Sequence, residues 1–279
     1  MSIFAAERAS VMSIITISRG SYSRGKEVAE KLANRLYYEC ISREILIEAS
    51  EQFNIPEIKL VRAIHDAPSI LDRFTYGKEK YIAYIRAALL SHVQSDNVVY
   101  HGNAGHFFLQ KIPNVLKVRI TAEIENRVQE EMKRENIPAE KARHILEKDD
   151  EERRKWGLRL YGVDTWDSRL YDLVLHIETM SIDDGIDIIY YALQRPCFQS
   201  TPDHQKLLNN LALAARVEAA LVEEFPTAKA TARDGLVFVD LKIPLSQTHA
   251  LTEKARAIAK VVTGVKDVKV SAIPLGIEE

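Results

Sequence analysis

The strongest constraint on the fold is residues 14–33, a segment that combines an apolar run, a glycine-bearing turn and a helical pattern. Ile14 to Ile17 is rich in β-branched residues, which favours a buried strand. The turn runs from Gly20 to Gly25, and beyond it apolar residues recur at helical spacing. A loop between a strand and a helix N-terminus directs backbone N–H groups towards one point. The segment therefore predicts an anion site, with phosphate as the expected ligand.

The spacing of Gly20, Gly25 and Lys26 matches the first seven positions of a P-loop. The eighth position carries Glu27, where the general motif has a Ser or Thr that binds Mg²⁺. Glu27 is the candidate Mg²⁺ ligand, although the helix dipole alone also favours a carboxylate there. The alternative is a surface turn with a solvated Lys26. The residues expected to bind the phosphate-bearing cofactor are Gly20, Ser21, Tyr22, Ser23, Arg24, Gly25, Lys26 and Glu27.

Composition narrows the class of protein. The 279 residues, 46% hydrophobic and 28% charged, suit one large or two smaller globular domains. A net charge of −2 argues against broad nucleic-acid binding, so no stable nucleic-acid partner is expected. Two cysteines, Cys40 and Cys197, suit a reducing cytoplasm. Neither a long apolar span nor a signal-peptide pattern is present, and we expect a cytoplasmic protein that starts at Met1 or Met12.

Strand and helix patterns alternate from residue 14 to residue 195, which predicts an α/β fold with a mostly parallel sheet covered by helices on both faces. Ser42 and Thr121 are expected to cap the helices that follow them. Ligands of such sheets bind at the carboxyl ends of the strands, where the turns at Gly20 and Gly102 both lie. Apart from the first strand, the strands are expected at residues 97–101, 115–120 and 171–177.

The pattern changes after a proline-containing break at residues 195–203. About 70 residues then follow in the order α-β-β-α-β, with a hairpin turn at Asp234-Gly235. This order predicts a small α+β domain. We therefore expect two domains, 12–196 and 205–275.

Residues 12–195 resemble the cytidylate kinase-like family, a branch of the P-loop nucleoside monophosphate kinases. The resemblance rests on Ile17-Ser18-Arg19, on Ser23-x-Gly25-Lys26-Glu27 and on the turn that ends in His101-Gly102. A glutamate after the basic residue is a trait of this branch. The resemblance implies ATP-dependent phosphoryl transfer to a nucleoside monophosphate such as CMP, with ATP and Mg²⁺. Further matches are Tyr37-Tyr38, Pro113-Asn114-Val115-Leu116, Lys148-Asp149 to Arg153, and Tyr171-Asp172-Leu173.

Phosphoryl transfer depends on positioning and on positive charge around the transferred group. Lys26 is therefore expected to bridge the β- and γ-phosphates, and Arg153 and Arg154 are expected to act from a closing lid. The alternative is a solvated helix face with pairs such as Asp150–Arg154. The residues expected to hold the acceptor nucleotide are Asp72, Arg73, Gly102, Asn103 and Arg127.

Residues 205–275 resemble a BON domain, through Arg216-Val217, Asp234-Gly235 and Gly264-Val265. Such domains are associated with attachment to membranes or other surfaces, so a protein or lipid-surface partner is expected. The turn Gly102-Asn103-Ala104 stands where the kinase family has Gly-Arg-Gly. This departure supports a second hypothesis, a nucleotide-binding sensor with little or no catalysis whose C-terminal domain docks to a partner or lipid surface. The oligomeric state stays open, with a homo-oligomer as one alternative.

Overall fold

In the computed structural model, which describes residues 13–20, 23–65 and 77–274, strand β1 lies in the middle of a five-stranded parallel sheet. The strand order is β2-β3-β1-β4-β5. Along its whole length β1 pairs with β4, from Ile14 opposite Val115 to Arg19 opposite Ile120. The strands are β1 (Ile14–Arg19), β2 (Glu39–Ile41), β3 (Val98–Tyr100), β4 (Val115–Thr121) and β5 (Leu173–His176).

Helices cover both faces of this sheet. On one face Ile15 and Ile17 of β1 are buried against α1 and α8, because alternate residues of a strand point to the same side. The α-helices are α1 (Gly25–Leu36), α2 (Glu44–Phe53), α3 (Glu57–His65), α4 (Gly77–His92), α5 (Gly105–Phe108), α6 (Ile124–Glu135), α7 (Ala139–Tyr161), α8 (Ile182–Leu193), α9 (Pro202–Leu221) and α10 (Thr248–Lys260). Short 3₁₀ helices occupy Val93–Ser95, Ser168–Leu170, Pro196–Phe198 and Leu245–Gln247.

The chain divides into two compact units, each made of separate segments. The first unit contains the five-stranded sheet and combines the chain up to Ser42 with Ser95–His204. The second unit combines Arg43–Gln94 with the chain from Gln205 onwards. Helices α2, α3 and α4 pack against one another in this second unit. In the described residues we find no helix with the length and apolar character needed to span a bilayer.

The second unit contains a three-stranded sheet in the order β6-β7-β8, formed by β6 (Lys229–Arg233), β7 (Leu236–Ile243) and β8 (Asp267–Pro274). Strands β6 and β7 are antiparallel, and the turn between them has positive φ at Asp234 (54°) and Gly235 (90°). These values suit a two-residue hairpin and confirm the predicted turn. Strand β7 alternates, and Val237, Val239 and Leu241 lie in a core with residues of α9 and α10.

The predicted α/β sheet with helices on both faces and the small second sheet are confirmed. Both predicted helix caps are wrong. Thr121 is the last residue of β4, where it pairs with β5 opposite His176, and Glu123 is the N-cap of α6. The N-cap of α2 is Arg43, which makes no side-chain capping bond. Residues 43–94 lie in the second unit, and the ranges 12–196 and 205–275 stay a prediction.

Candidate active site

The buried side chain of Ser23 stabilises the loop after β1 through hydrogen bonds. Its hydroxyl lies 3.0 Å from the Gly20 carbonyl oxygen and 3.1 Å from that of Ile120. Ile120 belongs to β4, so this hydroxyl joins the loop to the neighbouring strand. The Ser23 N–H also donates to the Gly20 carbonyl at 3.4 Å. Ser23 therefore shapes the loop, a role distinct from that of a surface turn residue.

The start of α1 requires two unusual backbone features. Arg24, the N-cap residue, has a left-handed backbone with φ 65°. Gly25 has no room for a side chain, since a Cβ there would lie 2.7 Å from Arg19 Cβ. The first N–H groups of a helix have no partners within the helix, and they attract anions. The start of α1 therefore offers N–H groups that could bind an anion, and phosphate binding at Gly20, Gly25 and Lys26 stays a prediction.

Lys26 and Glu27 both take part in exposed ion pairs. The Lys26 ammonium lies 3.5 Å from the Glu30 carboxylate, with the Lys26 side chain 64% exposed. The Glu27 carboxylate lies 3.4 Å from Lys31 and 3.9 Å from Arg24. The Lys31 ammonium donates hydrogen bonds to the carboxylates of Glu27 and Asp183. The bond to Glu27, followed by the bond to Asp183, raises the pKa of Lys31. Exposed pairs of this kind contribute about 0–1 kcal/mol, so a bound phosphate or cation could replace them at little cost.

Two arginines converge on Gly20 through a shared carboxylate. Arg127 Nη1 donates to Asp150 Oδ2 at 2.7 Å, and Arg153 Nη1 lies 3.4 Å from Asp150 Oδ1. A Cβ on Gly20 would lie 3.3 Å from Arg127 Nη2 and 3.4 Å from Asp150 Oδ1. The Arg127 side chain is only 9% exposed, so it is not a solvated surface arginine. The structure thus places Arg127 and Asp150 beside Gly20, and Arg153 next to the same Asp150 carboxylate.

Arg154 is engaged elsewhere. Its Nε donates to Asp164 Oδ2 at 2.8 Å, and its guanidinium lies 5.2 Å from the centre of the Trp166 ring. The Trp166 N–H bond, and after it the Arg154 bond, lower the pKa of Asp164. The expected Asp150–Arg154 pair is therefore replaced by a bond to Asp164. A catalytic role for Arg154 stays a prediction.

The second glycine turn is organised around a tyrosine ring. A Cβ on Gly102 would lie 2.2 Å from the Tyr100 hydroxyl oxygen, and one on Gly105 would lie 2.5 Å from Tyr100 Cδ1. The Tyr100 hydroxyl donates to the Asn103 carbonyl at 2.8 Å. Both glycines therefore have a packing reason that is independent of any ligand. Ala104, which precedes α5, has a left-handed backbone with φ 66°.

A half-buried polar group behind the loop was not anticipated from the sequence. The Tyr171 hydroxyl donates to the Thr165 carbonyl at 2.9 Å and lies 3.3 Å from Ser18 Oγ. The Arg119 guanidinium bonds the same Thr165 carbonyl and lies 3.3 Å from the Tyr171 hydroxyl oxygen. The available signal was Lys117 and Arg119, two basic residues at alternate positions of a buried strand.

Several predicted site residues have no structural outcome. Ser21, Tyr22, Asp72 and Arg73 lie outside the described residues. The roles assigned to all candidate site residues stay predictions. What the structure adds is the cluster of Arg127, Asp150 and Arg153 next to Gly20. His101, directly after β3, and His106, at the start of α5, are both buried.

Comparison with known proteins covers this same part of the chain. The family description "Cytidylate kinase-like family" matches residues 14–179. A cytidylate kinase of Staphylothermus marinus is 27% identical over 174 residues, which span 61% of this chain and 88% of that relative. One of Sulfolobus acidocaldarius is 24% identical over 191 residues, 68% of this chain and 99% of that relative.

A solved structure shows a similar fold. It is the crystal structure of an uncharacterized protein from Eubacterium ventriosum, with a TM-score of 0.51 and 21% identity. The match covers 66% of this chain and 99% of that one. At this identity the likeness shows the fold alone, whereas the family match extends over more than half of the chain. The chain therefore belongs to the cytidylate kinase-like family.

Proposed function

We propose that this protein transfers the γ-phosphoryl group of ATP to a nucleoside monophosphate, with CMP as the first acceptor to test. The observation that carries the proposal is that Arg127 and Arg153 share the carboxylate of Asp150, and that Arg127 and Asp150 lie beside Gly20, the residue that follows β1. A phosphate in the loop after β1 would meet the N–H groups of the α1 N-terminus and two guanidinium groups. Family membership supports the same reaction class.

Asp150 has a defined part in this proposal. Its carboxylate now accepts from Arg127 and lies beside Arg153, in the place where a phosphate could be bound by both. Phosphate and carboxylate oxygens accept similar charge-assisted bonds from arginine. We infer that a bound phosphate competes with Asp150 for the two arginines, so Asp150 preorganises them before the nucleotide arrives. Lys26 would then turn from Glu30 towards the β- and γ-phosphates.

The proposed cofactors are ATP and Mg²⁺. A divalent cation neutralises phosphate charge during such transfers. Glu27 is the proposed contact for it, because its carboxylate is a hard oxygen ligand at the start of α1. Its present partners, Lys31 and Arg24, form exposed pairs that a cation could replace.

A second function is favoured by one observation. The Asn103 turn is closed on Tyr100, and it has no arginine where the resemblance to the kinase family implies one. A nucleotide sensor with little or no turnover would tolerate this change, and its C-terminal BON-like domain would dock to a protein or a lipid surface. The BON-like identity and the cytoplasmic location stay predictions.

The test is a coupled assay of ADP release with ATP, Mg²⁺ and a panel of nucleoside monophosphates. Lys26→Ala is compared with Lys254→Ala, which removes a lysine from another exposed ion pair, with Glu224. We expect acceptor-dependent turnover that falls by about 100-fold or more in Lys26→Ala, on the scale of losing one charge-stabilising group, and is unchanged in Lys254→Ala. Heat stabilisation by ATP without turnover would support the sensor. Neither turnover nor stabilisation would reject both functions.

A further inference from the structure

Three side chains with metal-binding atoms meet at the carboxyl edge of the large sheet. His176 is the last residue of β5, Glu123 precedes α6, and Glu178 follows β5 by two residues. His176 Nε2 lies 3.3 Å from Glu123 Oε1 and 3.5 Å from Glu178 Oε2. All three side chains are about half exposed, so an ion could reach them from solvent.

The other nitrogen of His176 is held by Thr121. The Thr121 hydroxyl oxygen lies 3.1 Å from His176 Nδ1 and 3.3 Å from the Leu175 carbonyl oxygen. A carbonyl only accepts, so the hydroxyl proton goes to Leu175 and the hydroxyl oxygen accepts from Nδ1–H. In the neutral imidazole the Nε2 lone pair then faces two carboxylates. A cation placed between this nitrogen and the carboxylates of Glu123 and Glu178 would be stabilised by all three groups.

The separations of His176 Nε2 from the two carboxylates suit a small tetrahedral ion. Zinc bonds to nitrogen and carboxylate oxygen are about 2.0–2.2 Å, which places neighbouring ligand atoms of a tetrahedron about 3.3–3.5 Å apart. The two separations from His176 Nε2 fall in this range, and the ligand atoms of all three residues lie within 4.8 Å of one another. A ligand histidine whose second nitrogen donates to a fixed oxygen is the usual arrangement around zinc.

We propose that Glu123, His176 and Glu178 bind a divalent transition-metal ion of the zinc type, with a fourth position open to water. Mg²⁺ suits this set poorly, because it prefers six oxygen ligands and keeps much of its water. The proposed ion is separate from the Mg²⁺ of phosphoryl transfer and does not depend on the proposed function.

The ion would join the chain after β4 to the chain after β5. The Glu123 carbonyl accepts the N–H of Arg127 at 3.2 Å, so Glu123 begins the helix that carries this arginine. Binding at Glu123 would thus hold the start of α6 against the end of β5. The expected role is structural, a clamp between two loops at the sheet edge.

The experiment uses the full chain, freed of metal by a chelator and then titrated with Zn²⁺ against a chromophoric competitor. Variants are His176→Gln, Thr121→Val and the control His144→Gln, which removes an exposed histidine outside the cluster. We expect about one Zn²⁺ per chain and a rise in melting temperature, both lost in His176→Gln and unchanged in His144→Gln. Thr121→Val should weaken binding about 10- to 100-fold, the range for a residue that orients a ligand.

Substitution with Co²⁺ provides a second readout. Bound Co²⁺ should give a visible absorption band in the wild type and in His144→Gln, and this band should be absent in His176→Gln. The proposal is overturned if Zn²⁺ does not bind the wild type. It is also overturned if His176→Gln binds Zn²⁺ as tightly as the wild type does, because the metal would then lie on other residues.

Discussion

His106 illustrates how a single buried side chain links packing to pH. Its ring lies 4.1 Å from that of Phe107 and 5.1 Å from that of Tyr171, measured between ring centres. Burial, and then the charges of Arg119 and Lys117, lower the pKa of His106 to about 3 from its ordinary 6.5. The folded protein therefore holds a neutral imidazole over a pH range in which the unfolded chain takes up a proton.

This difference predicts a loss of stability in acid. Above pH 6.5 the imidazole is neutral in both states and has no effect on the pH dependence. As the pH falls from 6.5 towards 3 only the unfolded chain binds the proton, so the free energy of unfolding decreases, at up to about 1.4 kcal/mol per pH unit. In urea unfolding experiments between pH 7 and pH 4.5, the free energy of unfolding of His106→Phe should decrease less steeply with falling pH than that of the wild type.

His144→Phe is the control for His106→Phe, because His144 is an exposed histidine. It should keep the slope of the wild type. A wild-type slope in His106→Phe as well would mean that other groups cause the acid sensitivity.

The cluster of Arg127, Arg153 and Asp150 next to Gly20 could be predicted from the sequence only in part. The glycine and lysine spacing predicts the loop after β1, and the charge pattern of α7 singles out Arg153, whose role stays a prediction. Asp150 could not be recognised, because its role arises from bonds to Arg127 and Arg153 and from its proximity to Gly20, some 130 residues away. Long-range contacts of polar side chains leave no periodic pattern in the sequence.

At the scale of elements, α8 has the most clearly defined start among the described helices of the first unit. The Ser181 hydroxyl accepts from the Asp184 N–H at 3.1 Å, while the Asp184 carboxylate accepts from the Ser181 N–H at 3.0 Å. This reciprocal pair is a capping box. The bonds from Ser181 lower the pKa of Asp184. The helix packs with α1, so its start supports the core that α1 and α8 share with the large sheet.

Removal of this cap should therefore be measurable. Ser181→Ala should reduce the free energy of unfolding by about 1 kcal/mol, because the Asp184 N–H loses the hydroxyl oxygen that accepts its hydrogen bond. Chemical unfolding is the measurement, and Ser246→Ala, at an exposed serine of a 3₁₀ turn, is the control. Equal stability of the two variants would show that solvent replaces the cap without loss.

The presence of helices and strands was predicted more accurately than the residues at which they begin and end. The hairpin at Asp234-Gly235 and the strand Leu236–Ile243 follow directly from turn chemistry and alternation, and both are confirmed. Thr121 was misplaced because it is a good N-cap residue by type, whereas pairing with His176 keeps it in the strand. At this position the pairing of β4 with β5 outweighs the preference of threonine for a helix N-cap. The local sequence does not contain the information needed to predict that outcome.

At the scale of the whole molecule, the second unit is held together by polar contacts between its two segments. Arg86 of α4 pairs with Glu218 of α9, and the Glu218 carboxylate also accepts the Ala230 N–H at 2.9 Å. Nearby, the Tyr84 hydroxyl donates to Glu223 at 2.9 Å. Burial, followed by the bond to Glu223, raises the pKa of Tyr84.

Breaking the Arg86–Glu218 pair should destabilise this unit. The two side chains are 24% and 12% exposed, so Arg86→Met leaves a largely buried carboxylate without its cation, at a cost of about 3 kcal/mol. Adding Glu218→Gln should recover part of the loss, since the amide oxygen still accepts from Ala230. Circular dichroism is the suitable probe, because Trp156 and Trp166, the two tryptophans, both lie in the first unit.

Arg43→Met is the control for Arg86→Met. Arg43 forms an exposed pair with Glu57 within the same unit, and because solvent screens such a pair, Arg43→Met should unfold at nearly the same urea concentration as the wild type. If both variants unfold at the same urea concentration, the Arg86–Glu218 pair does not stabilise the unit as argued.

The discontinuous second unit has a consequence for biosynthesis. Helices α2 to α4 emerge from the ribosome about 110 residues before Gln205, the first residue of the segment that completes their unit. At about 5–20 residues per second, the nascent chain must carry these helices for roughly 5–20 seconds before their remaining partners exist. During that interval their partner-facing surfaces are open to chaperones and proteases, so this unit can be completed only long after its first segment has been made.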